Sequence, residues 1–109
     1  RNLVCYDLAM TTMALVHGAF HGGWCWERLA PELHIRGFET VAPDLPCDDP
    51  GAGIEEYAAV IEKATQGHDD IVLVGHSLGS LVIPVVAANR PVRRMIFLCS
   101  VPTGPGLPR

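Results

Sequence analysis

The stretch between residues 71 and 89 contains the sequence feature that most narrows the choice of fold. Residues 71–74 form a continuous apolar run typical of a buried strand, and residues 78–89 have the character of a helix. A G-x-S-x-G motif with Ser77 at its centre joins the two. Because the glycines relieve crowding in a sharp turn, this pattern predicts a serine held clear of the backbone between a strand and a helix.

The alternative is an ordinary tight turn in which Ser77 only caps the following helix. A second glycine turn, L-V-H-G-A at residues 15–19, also ends an apolar strand and makes that alternative weaker. The carboxyl ends of parallel strands share one edge of a sheet. If these two strands are neighbours, Ala19 and Ser77 face each other across one crevice, where free N–H groups at a helix start can stabilise an oxyanion.

Strand-like and helix-like segments alternate along the whole chain. The clearest helical period is in residues 54–66, where Ile54, Tyr57, Ala58 and Ile61 recur at i, i+3, i+4 and i+7. The other predicted strands are residues 13–16, 38–42 and 94–98, and the other predicted helix is residues 24–36. This order predicts the α/β class, a three-layer sandwich in which a parallel sheet of four strands is flanked by three helices.

The length of the chain bounds its domain organisation. Its 109 residues, 49% of them apolar, suffice for one packed domain and not for two. We expect a single partial domain over residues 1–109, with residues 1–12 as an N-terminal extension and residues 100–109 as a Pro/Gly-rich tail. Since the chain does not begin with Met, either Met10 or Met13 is a candidate natural start, and the chain is equally a candidate piece of a longer protein.

Charge and cysteine content exclude several function classes. The formal net charge is -4, with acidic and basic residues interspersed and no basic stripe, which argues against nucleic-acid binding. No apolar run is long enough for a membrane span, and residues 1–10 do not read as a signal peptide. Cys5, Cys25, Cys47 and Cys99 lie too far apart for a C-x-x-C zinc site. We therefore expect a cytoplasmic protein with no metal and no organic cofactor.

Two motifs together identify a family resemblance more specifically than either does alone. They are H-G-A-x-H-G-G-W at residues 17–24 and V-G-H-S-L-G at residues 74–79, and residues 38–45, with Asp44 closing a strand, fit the same pattern. With these motifs, residues 13–101 resemble the α/β-hydrolase family, in the branch of plant methyl esterases, hydroxynitrile lyases and bacterial esterase relatives. The resemblance implies a partial α/β-hydrolase fold, whose four strands are the family's third to sixth in the spatial order fourth, third, fifth, sixth.

The resemblance also implies roles for individual residues. Ser77 matches the family's nucleophile, and the backbone N–H groups of Leu78 and Ala19 match its oxyanion hole. The residues expected to shape or line the substrate site are His17, Gly18, His21, Trp24 and His76. On the turn around Ser77, neighbouring side chains point in different directions, so His76 is interpreted as a pocket-lining residue and not as a base.

Nothing in this chain matches the family's catalytic acid or catalytic histidine, which follow later strands. Three hypotheses remain open. The first is the N-terminal part of a serine hydrolase that acts on small-molecule carboxylic esters. The second is a non-catalytic module that binds a small ligand or a partner, and the third is a lyase that acts on cyanohydrins with the same serine. In each case we expect little turnover by these 109 residues alone.

The last predicted strand, residues 94–98, is expected to form an open edge of the sheet. By the resemblance it would pair with a further strand, and its run M-I-F-L is apolar. Unpaired N–H and C=O groups along such a run are a template for another chain. We therefore expect self-association, or a homo-oligomer, through this edge.

Overall fold

The computed structural model describes residues 10–98, in which four strands and three α-helices alternate. The strands are β1 (Thr12–Val16), β2 (Glu39–Val41), β3 (Ile71–His76) and β4 (Arg94–Leu98). The helices are α1 (Leu29–Ile35), α2 (Ile54–Ala64) and α3 (Gly79–Asn89), with a short 3-10 helix, Gly23–Trp26, before α1. The predicted alternation is confirmed. Cys5, Cys99, most of the proposed N-terminal extension and the proposed tail lie outside the described residues.

The four strands form one parallel sheet in the order β2-β1-β3-β4. This is the predicted order, and it makes β1 and β3 direct neighbours. Their register pairs Thr12 with Ile71 and Val16 with Gly75, so both strands end at the same level. The two glycine turns therefore start side by side at the carboxyl edge. β4 is an edge strand of the described sheet, and the self-association predicted for it stays a prediction.

The sheet is packed on both faces, as the three-layer architecture requires. Alternate residues of β1 and β3 point to opposite faces. One face packs against α2 and α3 and forms a cluster that includes Ala14, Val16, Leu73, Ile61 and Val82. The other face carries Leu15, Val72 and Val74, which pack with Trp26 of the 3-10 helix. β3 is buried on both sides, which explains why its sequence reads as a continuous apolar run.

The predicted helix over residues 24–36 is wrong, because the segment is divided into the 3-10 helix and α1. Pro31 gives the physical reason. In one continuous helix the Pro31 ring would clash with the carbonyl of Glu27. Pro31 also has no N–H group to donate to that carbonyl. α1 begins at Leu29 instead, so that Pro31 falls in its first turn, where no donor is needed.

The remaining differences are at the ends of elements. β3 extends to His76, two residues beyond the predicted strand, and α3 begins at Gly79. α2 ends at Ala64, two residues before the end of the predicted helical period at residue 66, and Gly67 follows with a φ of 82°. Within residues 10–98, no helix combines the length and the apolar character that crossing a bilayer requires.

Candidate functional site

Ser77 lies between the end of β3 and the start of α3, in a strained backbone conformation. Its φ is 54°, in the left-handed region that non-glycine residues rarely adopt. The Ser77 N–H donates to the carbonyl of Leu98, so the last bond of the β3–β4 ladder supports the turn. The predicted placement of Ser77 at a strand-to-helix turn is confirmed. Strain of this kind persists only where the surrounding structure imposes it.

The two glycines of the motif allow that turn to form. A Cβ on Gly75 would lie 2.7 Å from the carbonyl oxygen of Gly79, which is too close for any side chain. A Cβ on Gly79 would in turn collide with the carbonyl oxygen of Val16 at the end of β1. The start of α3 is therefore pressed against both β3 and β1, which is possible only where the side chains are absent.

The turn after β1 meets the Ser77 turn directly. A Cβ built on Gly18 would lie 3.1 Å from the Ser77 Cβ and 3.2 Å from the His76 carbonyl oxygen. The crevice expected between the two turns is therefore present. Ala19 and Leu78, the residues after Gly18 and Ser77, line one open cleft of about 510 Å³, which we name the oxyanion cleft after the role that the family resemblance implies for these two residues.

The backbone N–H groups of Ala19 and Leu78 have no hydrogen-bond partner in the part of the chain that the structure describes. Among the described residues, neither N–H donates a hydrogen bond to the backbone or to a side chain. Leu78 immediately precedes α3, whose first N–H groups carry the partial positive charge of the helix start. Two unpaired donors beside a serine hydroxyl are suited to bind an oxygen that gains negative charge.

His17 supports the glycine turn from inside the protein. It has no exposed surface, and both ring nitrogens are bonded to the backbone. Its Nδ1 donates to the Gly18 carbonyl at 2.7 Å, and the Leu45 N–H donates to its Nε2 at 2.9 Å. Since a carbonyl can only accept and an N–H can only donate, the ring is the neutral tautomer protonated at Nδ1. This burial puts His17 behind the turn and leaves no ring nitrogen for a substrate.

A second anchor holds the following part of the same loop. The Gly23 N–H donates to the Asp44 carboxylate at 2.7 Å, and Gly23 also packs against the carbonyl of Ala42. Asp44 thus ties the loop after β1 to the segment after β2. Between the two anchors lies Phe20, which is 97% exposed and has a φ of 65°. In the part of the chain that the structure describes, Phe20 and Ser77 are the two non-glycine residues with positive φ; Phe20 lines the oxyanion cleft, and Ser77 directly precedes Leu78 in its wall.

Aromatic and imidazole rings cluster on the other side of His76. The His21 and His76 rings stack with centroids 5.8 Å apart, and Trp24 meets His21 edge-on at 5.6 Å. Trp26 meets His76 edge-on at 6.4 Å. His21 and His76, with Cys25, Trp26 and Leu98, line a second opening of about 380 Å³, which we name the imidazole cleft. His21 borders both clefts, while Trp24 is 62% exposed.

The hydroxyl of Ser77 is not hydrogen-bonded to a general base among the described residues. Within residues 10–98, no hydrogen bond joins its Oγ to a histidine or a carboxylate; His17 bonds to the backbone, and His68 bonds to Thr12 at the far end of the sheet. Three or more His, Cys, Asp or Glu side chains close enough to hold a metal ion do not occur in this part either.

Three residues of the oxyanion cleft were missed in the sequence analysis. The sequence predicts Tyr57 only as part of a helical period and Cys47 only as an isolated cysteine; both line the cleft, together with Asp48. Burial, followed by the neighbouring Cys47, raises the pKa of the Tyr57 phenol, so the phenol stays neutral and able to donate. The heptad-like spacing of Tyr57 gave no signal that its hydroxyl faces a cleft.

The charged residues near the oxyanion cleft differ from the expectation that acids and bases are interspersed along the chain. Residues 37–62 contain seven Asp or Glu and no Lys or Arg. Asp48 brings part of that charge to the cleft itself, and Asp49 and Glu56 lie close enough to act on Tyr57. This segment, which has acids but no bases, was a usable signal in the sequence for a cleft that disfavours anions.

Comparison with known proteins gives this arrangement a family context. Residues 13–109 match the alpha/beta hydrolase family. The chain is 34% identical over 110 residues to the pyrethroid hydrolase of Sphingobium wenxiniae, a match that covers 92% of this chain and 39% of that protein. It is 36% identical over 92 residues to methylesterase 3 of Arabidopsis thaliana, covering 74% of this chain and 35% of that protein.

Solved structures show the same relationship. The crystal structure of a pyrethroid hydrolase from Sphingobium faniae superposes with a TM-score of 0.74 at 34% identity, over 89% of this chain and 42% of that chain. The relatives named here are hydrolases or esterases. The present chain spans about two fifths of their length, and the matched part includes both glycine turns.

Proposed function

This chain belongs to the alpha/beta hydrolase family, and on that premise we propose that it carries the nucleophile and the oxyanion hole of a serine hydrolase that acts on carboxylic esters. The observation that carries the proposal is the strained backbone of Ser77 directly before Leu78, which with Ala19 lines one cleft, while neither N–H group has a hydrogen-bond partner among the described residues. A serine that only caps a helix requires neither a strained backbone nor the neighbouring glycine turn after β1.

In the proposed reaction, the Ser77 Oγ attacks the carbonyl carbon of the ester. The carbonyl oxygen becomes an oxyanion and accepts hydrogen bonds from the N–H groups of Ala19 and Leu78. The serine proton passes to a base and then to the leaving alcohol as the C–O bond breaks, which leaves an acyl-enzyme that water hydrolyses. In this proposal the described residues supply the nucleophile and the donors, and the base is a group outside residues 10–98, since none of the hydrogen bonds of those residues joins the Ser77 Oγ to a histidine or a carboxylate.

We infer that the preferred esters are neutral. Asp48 in the cleft wall and the seven acids of residues 37–62 place negative charge on the side where the substrate enters. An anionic substrate would be repelled there, and a carboxylate product would be expelled after hydrolysis.

Covalent labelling with a fluorophosphonate tests the nucleophile without requiring turnover. Attack by the Ser77 Oγ on phosphorus expels fluoride and leaves a stable adduct that mass spectrometry can locate. We expect labelling of the chain, its loss in Ser77→Ala, and its retention in the matched control Ser100→Ala. A neutral ester such as methyl benzoate should slow the labelling more than benzoate does at equal concentration.

One observation favours a second candidate, a non-catalytic ligand-binding module. Within residues 10–98 no base reaches the Ser77 hydroxyl, so this part of the protein can bind an ester without turning it over. A folded chain in which Ser77 stays unlabelled would favour this candidate over the hydrolase. Product analysis with the complete protein separates ester hydrolysis from cyanohydrin cleavage, since only the former produces a carboxylic acid from an ester.

A further inference from the structure

Phe20, in the wall of the oxyanion cleft, gains little from the folded structure and is nevertheless held in a strained conformation. Its side chain is 97% exposed, so the ring is not stabilised by burial. Its φ of 65° lies in the left-handed region, which glycine adopts freely and other residues do not. Because strained residues cluster at active sites and ligand-binding loops, this combination indicates a role in recognition.

The turn that carries Phe20 is fixed by hydrogen bonds. The His21 N–H donates to the Gly18 carbonyl at 3.3 Å, which closes a turn with Ala19 and Phe20 at its centre. Phe20 thus has a positive φ at the third position of the turn, where glycine is usually found. The bonds of His17 and Asp44 described above hold the two ends of this loop, so a fixed backbone sets the position of the ring.

The position of Phe20 beside the proposed oxyanion hole defines what its ring would contact. Phe20 directly follows Ala19, and both residues line the oxyanion cleft together with Leu78 and Tyr57. A carbonyl oxygen bound by the N–H groups of Ala19 and Leu78 would leave the rest of the ester in this cleft, next to the exposed ring. A large apolar substituent there would remove both its own surface and that of Phe20 from water.

We propose that Phe20 is a specificity-determining residue, whose ring packs against a large apolar substituent of the ester while the ester carbonyl occupies the oxyanion hole. Because ring-to-ring contact is favourable, esters that carry a phenyl ring should bind more tightly than esters that carry a methyl group in its place. This inference rests on the proposed function, since it takes the N–H groups of Ala19 and Leu78 as the place where the carbonyl binds.

Titration of the Ser77→Ala chain with three neutral esters, followed by backbone amide signals in NMR, tests this contact without turnover. Methyl acetate is the reference, methyl benzoate carries a ring on the acyl side, and phenyl acetate carries a ring on the alcohol side. We expect at least one of the two ring-bearing esters to bind more tightly than methyl acetate and to shift the amide signals of Ala19 and Phe20. Adding Phe20→Ala should reduce that preference about fivefold, as the loss of one ring-to-ring contact predicts.

Three further variants separate recognition from a structural role. Phe20→Tyr keeps the ring and should retain the preference, and so should the matched control Ile35→Ala, which removes an exposed apolar side chain at the end of α1. Phe20→Gly relieves the positive φ, so it should melt at or above the temperature of the unchanged chain while it loses the preference.

The proposal is overturned if neither ring-bearing ester binds more tightly than methyl acetate, or if Phe20→Ala keeps the preference. An equal loss in Ile35→Ala would also overturn it, and a Phe20→Gly chain that melts well below the unchanged chain would show that Phe20 serves the fold instead. Failure of the nucleophile is a separate result: it would abolish fluorophosphonate labelling of the unchanged chain and leave these ester affinities as they are.

Discussion

The two ends of the sheet are held together in different ways. At the carboxyl end, the turns after β1 and β3 fit backbone against backbone, with Gly18 against Ser77 and Gly79 against the Val16 carbonyl. At the amino end, side chains make the connections. Asp70 accepts from both Arg93 and Thr11, and the Arg93 contacts are 2.6 and 2.8 Å long.

The carboxyl end of the sheet therefore depends on shape, meaning the close fit of backbone atoms. The amino end depends on charge, meaning hydrogen bonds and ion pairs between side chains. Close backbone contact leaves no space for another atom, so the carboxyl end should tolerate almost no added volume. Hydrogen bonds and ion pairs between partly exposed side chains contribute little individually and respond to pH and salt. The candidate site is at the end that depends on shape, where geometry has to be kept within a fraction of an ångström.

The largest expected effect comes from adding one methyl group at the carboxyl end. Gly79→Ala places a Cβ against the Val16 and His17 carbonyls, which are backbone atoms and cannot rotate away. We expect the free energy of unfolding in urea to fall by about 3 kcal/mol, although alanine is the better helix former. Gly51→Ala is the matched control, since its Cβ would meet only the Asp49 carboxylate at 3.4 Å, and it should change stability by less than about 0.5 kcal/mol. Similar losses in both variants would contradict the comparison.

A smaller effect should come from relieving the strain at Ser77. Glycine adopts a φ of 54° without penalty, whereas alanine does not, so Ser77→Gly should be more stable than Ser77→Ala by about 1 kcal/mol. At Ala88, an exposed position in α3, the order should reverse, and Ala88→Gly should lose about 1 kcal/mol relative to alanine. Thermal or urea melts of the four proteins measure both differences. An identical order at the two positions would rule out strain at Ser77.

The smallest effect should come from the amino end and should depend on pH. Hydrogen bonds from Arg93, then from Thr11, lower the pKa of Asp70 below its usual range. The carboxylate is therefore favoured in the folded protein, so its stabilising effect is present above the unfolded pKa of about 3.9 and is lost as the pH falls through the lower folded value. Asp70→Asn should remove this part of the acid destabilisation, while Asp69→Asn, at an exposed neighbour, should retain it. Urea melts from pH 5 to pH 2 at low salt provide the measurement.

The features that depend on short sequence periods could be predicted. The strands and the turn at Ser77 are confirmed, because apolar runs and glycine spacing encode them locally, whereas the confirmed sheet order was implied by the family resemblance. The division of the helix at Pro31 could also have been predicted, since the proline lies too far along a helix that starts at Trp24.

The walls of the two clefts could not be predicted in the same way. Cys47 and Asp48 lie on a segment without periodicity, and their approach to Tyr57 depends on how that segment packs against α2. The buried indole N–H of Trp26 has no hydrogen-bond partner among the described residues, which is a property of three-dimensional packing that no spacing reveals. Only the run of acids over residues 37–62 was a signal available in the sequence.

The contact of Gly79 with the end of β1 also has a consequence for the order of events in folding. β1 and β3 are parallel strands that are distant along the chain, so their pairing is a nonlocal and comparatively slow step. The positive φ of Ser77 is imposed by that pairing and cannot be maintained by the local sequence alone. During refolding, reactivity of Ser77 should therefore develop after helix formation and together with the docking of β1 on β3. The time course of Ser77 labelling would then report when this late pairing of strands takes place.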